Sequence, residues 1–523
     1  MRLTPRKIVS AALTGAFLVG TALAGTVLVP VGDVGNADAP KVSAPAVVGS
    51  LPEALVGEGD ELGADEVLVG ASKLNIRPTP NEAAGEFWEH DVNKCDTEGN
   101  PANGVAVASD TRSPWPEAPG CIYAGGFGVG PSQPLIEFDT TFGLWTRSVA
   151  FKRGGKTLVL TLVDGEGYFS RHNYMCPPEK PCGALDLGEQ LGAEYGIPPE
   201  SFVFAATHSH AAPDFIGGWG GVPVWYMGQV AEQMRQSARN ALDNMVPATL
   251  AAGDTMARPY NSERRDLYYA AEDPSLNWVR AVDRGGLVVA TVGTFAAHPT
   301  SFGGGENTAN ADWPVQFAKA IEDRDGGMAV VFQAGLGNMS ARGNSHGSMG
   351  QGLATVLPAV GDGRLVTSPD ISVARATWDH PVTNIPLGAL GAAGLFDHPF
   401  GGPAAVTAGK SAARPCVTAG AYSATVTATA AKIGGVYITA APGEVFANFT
   451  NTIEEKAPIT SLAIGQANDA IGYMPQSFEF DIATQQGTGF SGHEAFGYEE
   501  AYSIDRCFGD KTLDETLRLL GTI

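Results

Sequence analysis

The sequence predicts an α/β fold in which hydrophobic strands alternate with amphipathic helices. Residues 157–163 and 328–332 are short apolar runs with the length of buried strands. Residues 225–245 carry apolar side chains at helical intervals and give the clearest helix. Alternation of this kind is typical of layered α/β domains. The chain also has 67 Gly and 35 Pro among 523 residues, which predicts many tight turns and long ordered loops.

The other predicted elements follow the same alternation. In chain order, strands are expected over residues 157–163, 201–206, 287–295, 328–332, 436–440 and 461–464, and helices over 184–195, 225–245 and 313–321. A further helix is expected to open at Glu444, after Pro442-Gly443. In α/β folds the chemistry gathers beyond the strand ends. Polar residues stand there in this chain: His208, His298, Ser340, Glu444 and Tyr473.

Composition and charge exclude several classes of protein. Hydrophobic residues make up 44% of the chain and charged residues 17%, which excludes wholesale disorder. The formal net charge is −23, and no block rich in Lys and Arg follows the first ten residues. A chain this acidic repels phosphates, so we expect no nucleic-acid partner.

The N-terminus has the pattern of an export signal. Three basic residues precede an apolar run over residues 8–31. One small-x-small cleavage motif, Ala22-Leu23-Ala24, lies inside this run, and a second, Ala37-Asp38-Ala39, lies after it. The run is also long enough to stay in a bilayer as an anchor. Residues 1–39 are therefore predicted to be a signal peptide or an N-terminal anchor, and the protein to be secreted or held at the cell surface.

Two further segments complete the predicted organisation. Residues 40–66 are rich in Ala, Gly, Pro, Val and acids and are predicted to be a flexible tether. Residues 67–523 are predicted to form a single folded domain. Within it, residues 381–415 show little periodicity, so they are expected to be a long surface loop or, alternatively, an apolar lid over a lipid pocket.

The cysteines predict disulfide bonds rather than a metal site. Their number is even, which in an exported chain favours disulfides, and no CxxC motif occurs. Six cysteines allow 15 complete pairings, and the stiff local loop between Cys176 and Cys182 favours those that contain this pair. The predicted pairs are Cys176–Cys182, Cys95–Cys121 and Cys416–Cys507.

Three histidines are candidate metal ligands. His208 and His210 stand two residues apart, so on an extended segment both side chains point the same way. Neutral imidazole binds zinc well, which makes this pair a metal signal. His298 follows a predicted strand, and Pro299 forces a turn after it. The alternative for each histidine is a buried structural role with hydrogen bonds to the protein.

Other candidate residues have equally ordinary alternatives. Glu444 complements a helix dipole as readily as it binds a metal, and Tyr473 is as easily a packing aromatic. Ser340 follows a strand and a Gly-rich turn, where a serine can act in a site or cap the next helix. Ser345 lies in a G-x-S-x-G pattern, but the preceding strand ends about ten residues too early for a nucleophile elbow.

Seven short motifs occur between residues 69 and 509, and their order along the chain is informative. They are an opening strand at 69–78, a strand pair at 146–151 and 158–164, Ala206-Thr207-His208-Ser209-His210, His298-Pro299-Thr300-Ser301, the Gly-rich turn with Ser340, Pro442-Gly443-Glu444, and Gly472-Tyr473. Together they resemble the neutral/alkaline (non-lysosomal) ceramidase family. The resemblance implies a catalytic domain with a mixed β-sheet core and flanking helices. It also implies a Zn²⁺-dependent hydrolase that splits an N-acyl lipid into a fatty acid and a sphingoid base.

The resemblance also implies roles for individual residues. Its zinc ligands would be His208, His298, Glu444 and Tyr473. His210 would lie beside the metal or stabilise the oxyanion, Ser340 would be the essential serine, Tyr498 a second oxyanion-stabilising tyrosine, and Arg264 a substrate-binding residue. A lipid or other N-acyl substrate and a peripheral contact with a membrane are the partners implied.

The sequence departs from the family at several points. The serine motif reads Gly337-Asn338-Met339-Ser340-Ala341-Arg342, where the family usually has Gly-Asp-Val-Ser-Pro-Asn. After His210 the family's Ser-Gly-Pro is replaced by Ala211-Ala212-Pro213. The family's C-terminal immunoglobulin-like domain is expected to be absent. Two alternatives therefore stay open: a zinc hydrolase of the same fold that acts on another amide or ester, and an exported binding protein without turnover.

Overall fold

The computed structural model describes nine stretches of the chain. These are residues 61–78, 121–127, 130–131, 133–265, 271–302, 307–342, 348–409, 415–480 and 497–523. They belong to one compact unit, Leu62–Ile523, apart from Glu61 at the end of a first unit. The predicted signal or anchor over residues 1–39 lies outside the described residues, and so does Ser345.

Twenty-two strands and eight α-helices are resolved within the described residues. The strands are β1 (Glu66–Asn75), β2 (Glu137–Phe138), β3 (Trp145–Arg153), β4 (Lys156–Val163), β5 (Phe202–Ala206), β6 (Val246–Met256), β7 (Asn261–Glu263), β8 (Ser275–Asp283), β9 (Val288–Phe295), β10 (Thr308–Ala309), β11 (Met328–Gln333), β12 (Met339–Ala341), β13 (Arg364–Leu365), β14 (Ile371–Val382), β15 (Phe400–Gly401), β16 (Ala404–Ala408), β17 (Cys416–Gly420), β18 (Tyr422–Ile433), β19 (Val436–Ala440), β20 (Glu444–Val445), β21 (Thr460–Ile464) and β22 (Tyr473–Met474). The helices are α1 (Ala184–Tyr195), α2 (Val224–Asp243), α3 (Asp312–Asp325), α4 (Ser348–Val356), α5 (Ile385–Ala392), α6 (Ala447–Glu454), α7 (Tyr498–Ala501) and α8 (Phe508–Leu520).

Two mixed sheets form the centre of the fold. The larger runs in the order β11-β9-β8-β6-β1-β3-β4-β5, with β13 beside β6. Its outer pairs β11–β9 and β4–β5 are parallel, and its inner pairs are antiparallel. The smaller sheet runs β14-β18-β19-β21, and its last pair is also parallel. The predicted α/β class with a mixed sheet core is confirmed.

The two sheets pack face to face and helices cover their outer sides. Leu158 and Leu160 of β4 share one apolar cluster with Ile438 of β19, so this cluster lies between the sheets. Val159 of β4 points the other way, against α1 and α2, as the two-residue period of a strand requires. Cluster residues of α3 and α4 cover the β8–β9 end of the large sheet. Helices α6 and α8 cover the small sheet, which gives an αββα arrangement.

The predicted elements agree well with the observed ones, with two corrections. Helix α1 has the predicted bounds, and the predicted strand over 157–163 is β4. The chain does not open a helix at Glu444: Glu444–Val445 is a short strand and α6 begins at Ala447. Residues 381–415 are not a structureless loop, because α5, β15 and β16 lie within them. The carboxylate of Asp397 orders the turn between α5 and β15 by accepting backbone N–H groups of the 173–175 loop.

Two of the predicted disulfides are confirmed. Cys176 is bonded to Cys182, and Cys416 is bonded to Cys507. Cys121 is also in a disulfide bond, but its predicted partner Cys95 lies outside the described residues. Across the stretches described, no helix combines the length and the apolarity needed to cross a membrane.

Candidate metal centre

His208 lies just beyond the end of β5 in a strained conformation. Because β4 and β5 run parallel, the residues that follow them, Glu166 and His208, meet at one edge of the sheet. The φ of His208 is 61°, in the left-handed region, which costs a non-glycine residue about 1–2 kcal/mol. Strain of this kind persists only where surrounding contacts dictate the conformation. The side chain is buried, and its contacts supply that constraint.

Three imidazole rings converge at this edge of the sheet. His298 follows β9 by three residues, and its ring centroid is 4.8 Å from that of His208 and 5.0 Å from that of His210. The Nε2 atoms of His210 and His298 are 3.2 Å apart. Ligand atoms of all three rings lie within 4.8 Å of one another, and among the residues that the structure describes they form the one such group.

Glu444 adds a carboxylate to the same centre. Its Oε2 is 3.5 Å from Nε2 of His208 and 3.8 Å from Nε2 of His298. Glu444 Oε2 and His208 Nε2 are both buried and have no hydrogen-bond partner among the described atoms. Orphaned polar atoms are costly inside a protein. A cation placed between them would satisfy both, so these residues fit a metal ion.

Hydrogen bonds on the far side of two rings set their tautomers. Nδ1 of His208 donates to the carbonyl oxygen of Glu166 at 2.6 Å. Nδ1 of His298 donates to the carbonyl oxygen of Leu336 at 3.2 Å, and Nη1 of Arg264 lies farther from it, at 3.4 Å. A carbonyl oxygen only accepts, so each Nδ1 carries a proton and each Nε2 faces the centre, where a bound cation would take the place of any second proton. Neutral imidazoles with one carboxylate are a donor set that zinc prefers.

The surrounding charges favour a cation at this centre. Burial by itself lowers the pKa of His208, but the facing carboxylates of Glu444 and Glu166 outweigh burial and raise this pKa to about 9. Burial, aided by the positive charges of His208 and Arg264, holds the pKa values of His210 and His298 well below the usual range. The cluster thus combines the neutral imidazoles of His210 and His298 with the ring of His208, where the carboxylates of Glu444 and Glu166 favour positive charge.

Arg264 links Tyr473 to the cluster. Its Nη2 donates to the Tyr473 hydroxyl at 3.0 Å and to the carbonyl of Gly337 at 2.9 Å, while Nε donates to Glu499 at 3.0 Å. Tyr473 stands opposite Glu444 in the β20–β22 pair. Burial raises the pKa of Tyr473 well above its ordinary value, and the Arg264 cation opposes that rise. The Tyr473 oxygen is therefore held beside the centre with a cation against it.

A cavity of about 400 Å³ opens beside the cluster. His210, His298, Arg264 and Tyr473 form one part of its wall, and Tyr498 forms another part. The Tyr498 ring stands edge-on to that of Tyr473 with centroids 5.8 Å apart. A cavity of this volume has the size of a small-molecule site.

Gly126 and Phe127 hold His210 against the cluster. Gly126 has a φ of +88°, and a Cβ at this position would lie 2.3 Å from the His210 ring. The Phe127 ring contacts the same imidazole edge-on at 4.8 Å between centroids. Only glycine fits between the backbone and the ring here, so the position of His210 depends on Gly126.

Ser340 lies beside His298 through its backbone. It sits in β12, forms a parallel bridge with His298, and follows Met339, whose carbonyl accepts the His298 N–H at 2.9 Å. Ser340 is half-buried and is not among the residues that line the cavity. It stands in a strand and not at a helix N-terminus, since α4 begins at Ser348.

The neighbouring Asn338 explains one departure from the family motif. Its Nδ2 donates to the Ala271 carbonyl at 2.9 Å and contacts the Glu263 carboxylate at 3.4 Å. Its Oδ1 accepts the N–H of Ala447, the first residue of α6, at 2.9 Å. An aspartate could accept from Ala447 but could not donate to the two oxygens. In this chain the asparagine supports the fold around Ser340.

The structure adds site residues that the sequence did not identify. Glu166 supports His208 through its carbonyl, and burial raises the pKa of its carboxyl to about 8. Its place directly after a buried strand was a usable signal. Glu499 and Arg265 form ion pairs around Arg264 and Tyr498, and no sequence pattern distinguished them.

Comparisons with known proteins show the fold. No protein-family model matches the sequence, and no curated protein matches it. The crystal structure of neutral ceramidase from Pseudomonas aeruginosa is similar, with a TM-score of 0.53, 15% identity, and coverage of 88% of this chain and 75% of that one. A structure of a ceramidase complexed with C2 gives a TM-score of 0.54 at 15% identity, covering 88% and 76%. The chain therefore has the fold of the neutral ceramidases.

Proposed function

We propose that the protein is a zinc-dependent hydrolase that cleaves the amide bond of a ceramide-like N-acyl lipid, releasing a fatty acid and a sphingoid base. The observation that carries the proposal is the buried meeting of three histidines with Glu444 in a neutral ceramidase fold. Both similar structures are of ceramidases, which is why the proposal names an N-acyl lipid. The disulfides support a secreted or cell-surface protein, since such bonds persist in oxidising compartments.

Four residues are the proposed zinc ligands. His208 and His298 present Nε2 lone pairs, Glu444 presents an unpartnered carboxylate oxygen, and Tyr473 presents a hydroxyl held by Arg264. When bound, zinc polarises an amide carbonyl and lowers the pKa of water to about 7. Glu166 and Leu336 orient the two imidazoles, and such supporting contacts fix ligand geometry in metal sites.

Hydrogen-bond donors flank the cavity where a reacting carbonyl would lie. Burial keeps the pKa of His210 low, so its ring is neutral, and its Nε2 lies 3.2 Å from Nε2 of His298 at the cavity wall. Burial raises the pKa of Tyr498, which keeps its hydroxyl protonated as a donor. Both groups are proposed to stabilise the oxyanion that develops during amide cleavage. Arg264 is proposed to contact the substrate from the same wall.

Ser340 is proposed to act on the substrate from the β12 edge. Its backbone pairing with His298 ties a hydroxyl to the strand end that carries a proposed ligand. A serine in this place can attack the amide carbon or orient the substrate. An acyl–serine adduct trapped by rapid quenching and found by mass spectrometry would identify attack, whereas its absence during turnover would identify orientation.

An uncharged helix beside α7 supports a lipid substrate and peripheral contact with a membrane. Helix α5 has the sequence IPLGALGA, and its Ile385 is 82% exposed. The preceding Asn384 donates to the carbonyls of Ala501 and Ser503, so α5 is fixed beside α7, which carries Tyr498. Ile385→Glu should weaken sedimentation with zwitterionic lipid vesicles. Leu287→Glu, at a 70% exposed residue in the β8–β9 turn, should not.

Metal analysis and turnover of one purified sample test the proposal. Bound zinc is measured first, and hydrolysis of a fluorescent N-acyl-sphingosine and of an acyl ester is then followed with and without a chelator. We expect one zinc per chain and amide hydrolysis that the chelator abolishes. Turnover that survives the chelator would exclude the zinc mechanism. Zinc without turnover of either compound would favour a binding protein, and ester turnover alone would favour a different substrate class.

A matched pair of variants separates metal loss from general damage. Glu444→Gln removes the carboxylate that faces His208 at 3.5 Å, and we expect loss of zinc and of turnover. Asp505→Asn changes another buried carboxylate that pairs with a histidine, His380 at 3.1 Å, away from the cavity. This control should keep its zinc. Equal zinc content in the two variants would contradict the assignment of Glu444.

A further inference from the structure

Helix α7 carries Tyr498 to the cavity although it is too short to be stable alone. It has four residues, Tyr498–Ala501, and follows the capping residue Gly497, which has a φ of 82°. Isolated helices need roughly 12–15 residues to persist in water. Tertiary contacts must therefore hold Tyr498 in position. The two acids that follow it, Glu499 and Glu500, supply such contacts through ion pairs with arginine.

Arg265 is the centre of those contacts. Its side chain is 1% exposed, and its guanidinium forms ion pairs with three carboxylates. Nη2 donates to Glu500, Nε lies 3.6 Å from Glu499, and Nη1 lies 3.9 Å from Glu479. The guanidinium also stacks over the Phe446 ring, 5.1 Å from its centroid. A planar fork of five donors suits several carboxylates at once, which a lysine cannot match.

The two adjacent arginines have different surroundings. Arg264 lines the cavity and reaches Tyr473, whereas Arg265 is not among the cavity-lining residues. Glu499 bridges them, since its Oε1 accepts from Arg264 at 3.0 Å and its Oε2 faces Arg265. Glu500 likewise lies outside the cavity lining and pairs with Arg265. Arg265 thus pairs with both acids of α7 without lining the cavity itself.

Among the described residues, backbone bonds from the rest of the fold are made just beyond the far end of α7. Gly472 pairs with Ser503, and the Tyr473 N–H donates to the Tyr502 carbonyl at 3.3 Å. Both contacts lie beyond the last residue of the helix. Within the described residues, the first turn is therefore contacted through side chains: Glu499 and Glu500 pair with Arg265, and the Tyr498 ring meets the rings of Tyr473 and Tyr502.

We propose that Arg265 is a positioning residue that holds Tyr498 against the cavity through the carboxylates of Glu499 and Glu500. This inference rests on the proposed role of Tyr498 in hydrolysis. Arg265 itself touches neither the cavity nor the proposed ligands. Its loss should lower kcat through Tyr498 while leaving the bound zinc in place.

A double-mutant cycle tests this coupling. Tyr498→Phe removes one oxyanion donor and should lower kcat about a hundredfold. Arg265→Gln should lower kcat by a similar factor, and the double variant should be no slower than the slower single variant, because both changes remove the same contribution. Multiplied effects, or an unchanged kcat in Arg265→Gln, would overturn the proposal.

Arg280→Gln is the matched control. Arg280 is also 1% exposed, pairs with Asp325 at 2.7 Å and stacks over the Trp278 ring at 5.6 Å, but it lies outside the cavity lining. This variant should lose stability and keep kcat per folded molecule. An equal fall of kcat in both arginine variants would assign the effect to general destabilisation. If Arg265→Gln does not fold, Glu500→Gln takes its place in the cycle.

Hydrogen exchange gives a readout that does not depend on turnover. Amides of residues 497–503 should exchange at least tenfold faster in Arg265→Gln or Glu500→Gln, with protection elsewhere unchanged, and should stay protected in Arg280→Gln. Faster local exchange in a protein that hydrolyses no N-acyl substrate would support the positioning of Tyr498 and reject the proposed function. Unchanged exchange in both variants would reject the positioning role even if the wild type is active.

Discussion

Replacing Gly126 with Ala adds one methyl group against the ring of His210. The new Cβ would lie 2.3 Å from the ring, whereas ordinary van der Waals contact begins at 3.4 Å. The ring must therefore retreat by roughly 1 Å, since a packed interior offers no other room. The positive φ of 88° adds about 1–2 kcal/mol of backbone strain for an L-residue.

A shift of this size should be visible in turnover. Misplacing a reacting group by about 1 Å can cost about a hundredfold in rate, so we expect kcat for a fluorescent N-acyl-sphingosine to fall by about that factor. Zinc content should stay at one per chain, because His208, His298 and Glu444 are untouched. Steady-state kinetics, zinc analysis and thermal unfolding of the same preparation measure the three quantities.

Gly286 provides the control for backbone strain. Its φ is 82°, close to that of Gly126, but a Cβ there would meet nothing within 4 Å. Gly286→Ala should lose similar stability from strain and keep its kcat. If Gly126→Ala and Gly286→Ala have the same kcat, the position of His210 does not matter for turnover and its proposed role is wrong.

Three further predictions concern the surroundings of the site. Asn338→Asp should destabilise the fold by about 1–3 kcal/mol in urea unfolding, because two acceptors lose their donor, and an unchanged midpoint would contradict that account. Tyr473→Phe removes a proposed ligand oxygen, so it should weaken zinc binding in equilibrium dialysis more than His210→Ala does. A larger loss of zinc affinity in His210→Ala would instead identify His210 as the ligand. Cys416 and Cys507 are 91 residues apart, so their bond restricts a long loop in the unfolded chain, and replacing both with Ser should lower the free energy of unfolding by about 4–5 kcal/mol. A loss below about 1 kcal/mol would show that the disulfide contributes little to stability.

The sequence predicted best those elements whose two faces are both buried. Strand β4 reads as a continuous apolar run because one face meets the other sheet and the other face meets helices. Strand β8 was not predicted although both its faces are buried, because polar Asn277 and Arg280 interrupt its apolar run. Strands β6, β14 and β18 were not predicted either. They are the three longest described strands, rich in Ala and Thr, and their burial alternates irregularly. Ala and Thr provide little hydropathy contrast, so the two-residue period does not stand out.

The candidate ligands were predictable because each follows a strand. A polar residue at the end of an apolar run is a local signal, and His208, His298 and Glu444 all provide it. The supporting residues provide no such signal, because their function lies in contacts across the chain. Arg265 and Glu500 are 235 residues apart, and one sequence alone does not reveal that pairing. The same holds for Gly126, whose importance depends on a ring 84 positions later.

The two walls of the cavity are built differently, and this difference bears on substrate choice. His208 and His298 stand on strand ends, and backbone carbonyls fix their rings, so a change there would disturb the core between the sheets. Tyr498 stands on a four-residue helix held by ion pairs. Substitutions around that helix can reshape the cavity without moving a proposed ligand. The strand ends that carry the candidate ligands and the helix that carries Tyr498 can therefore change independently of one another.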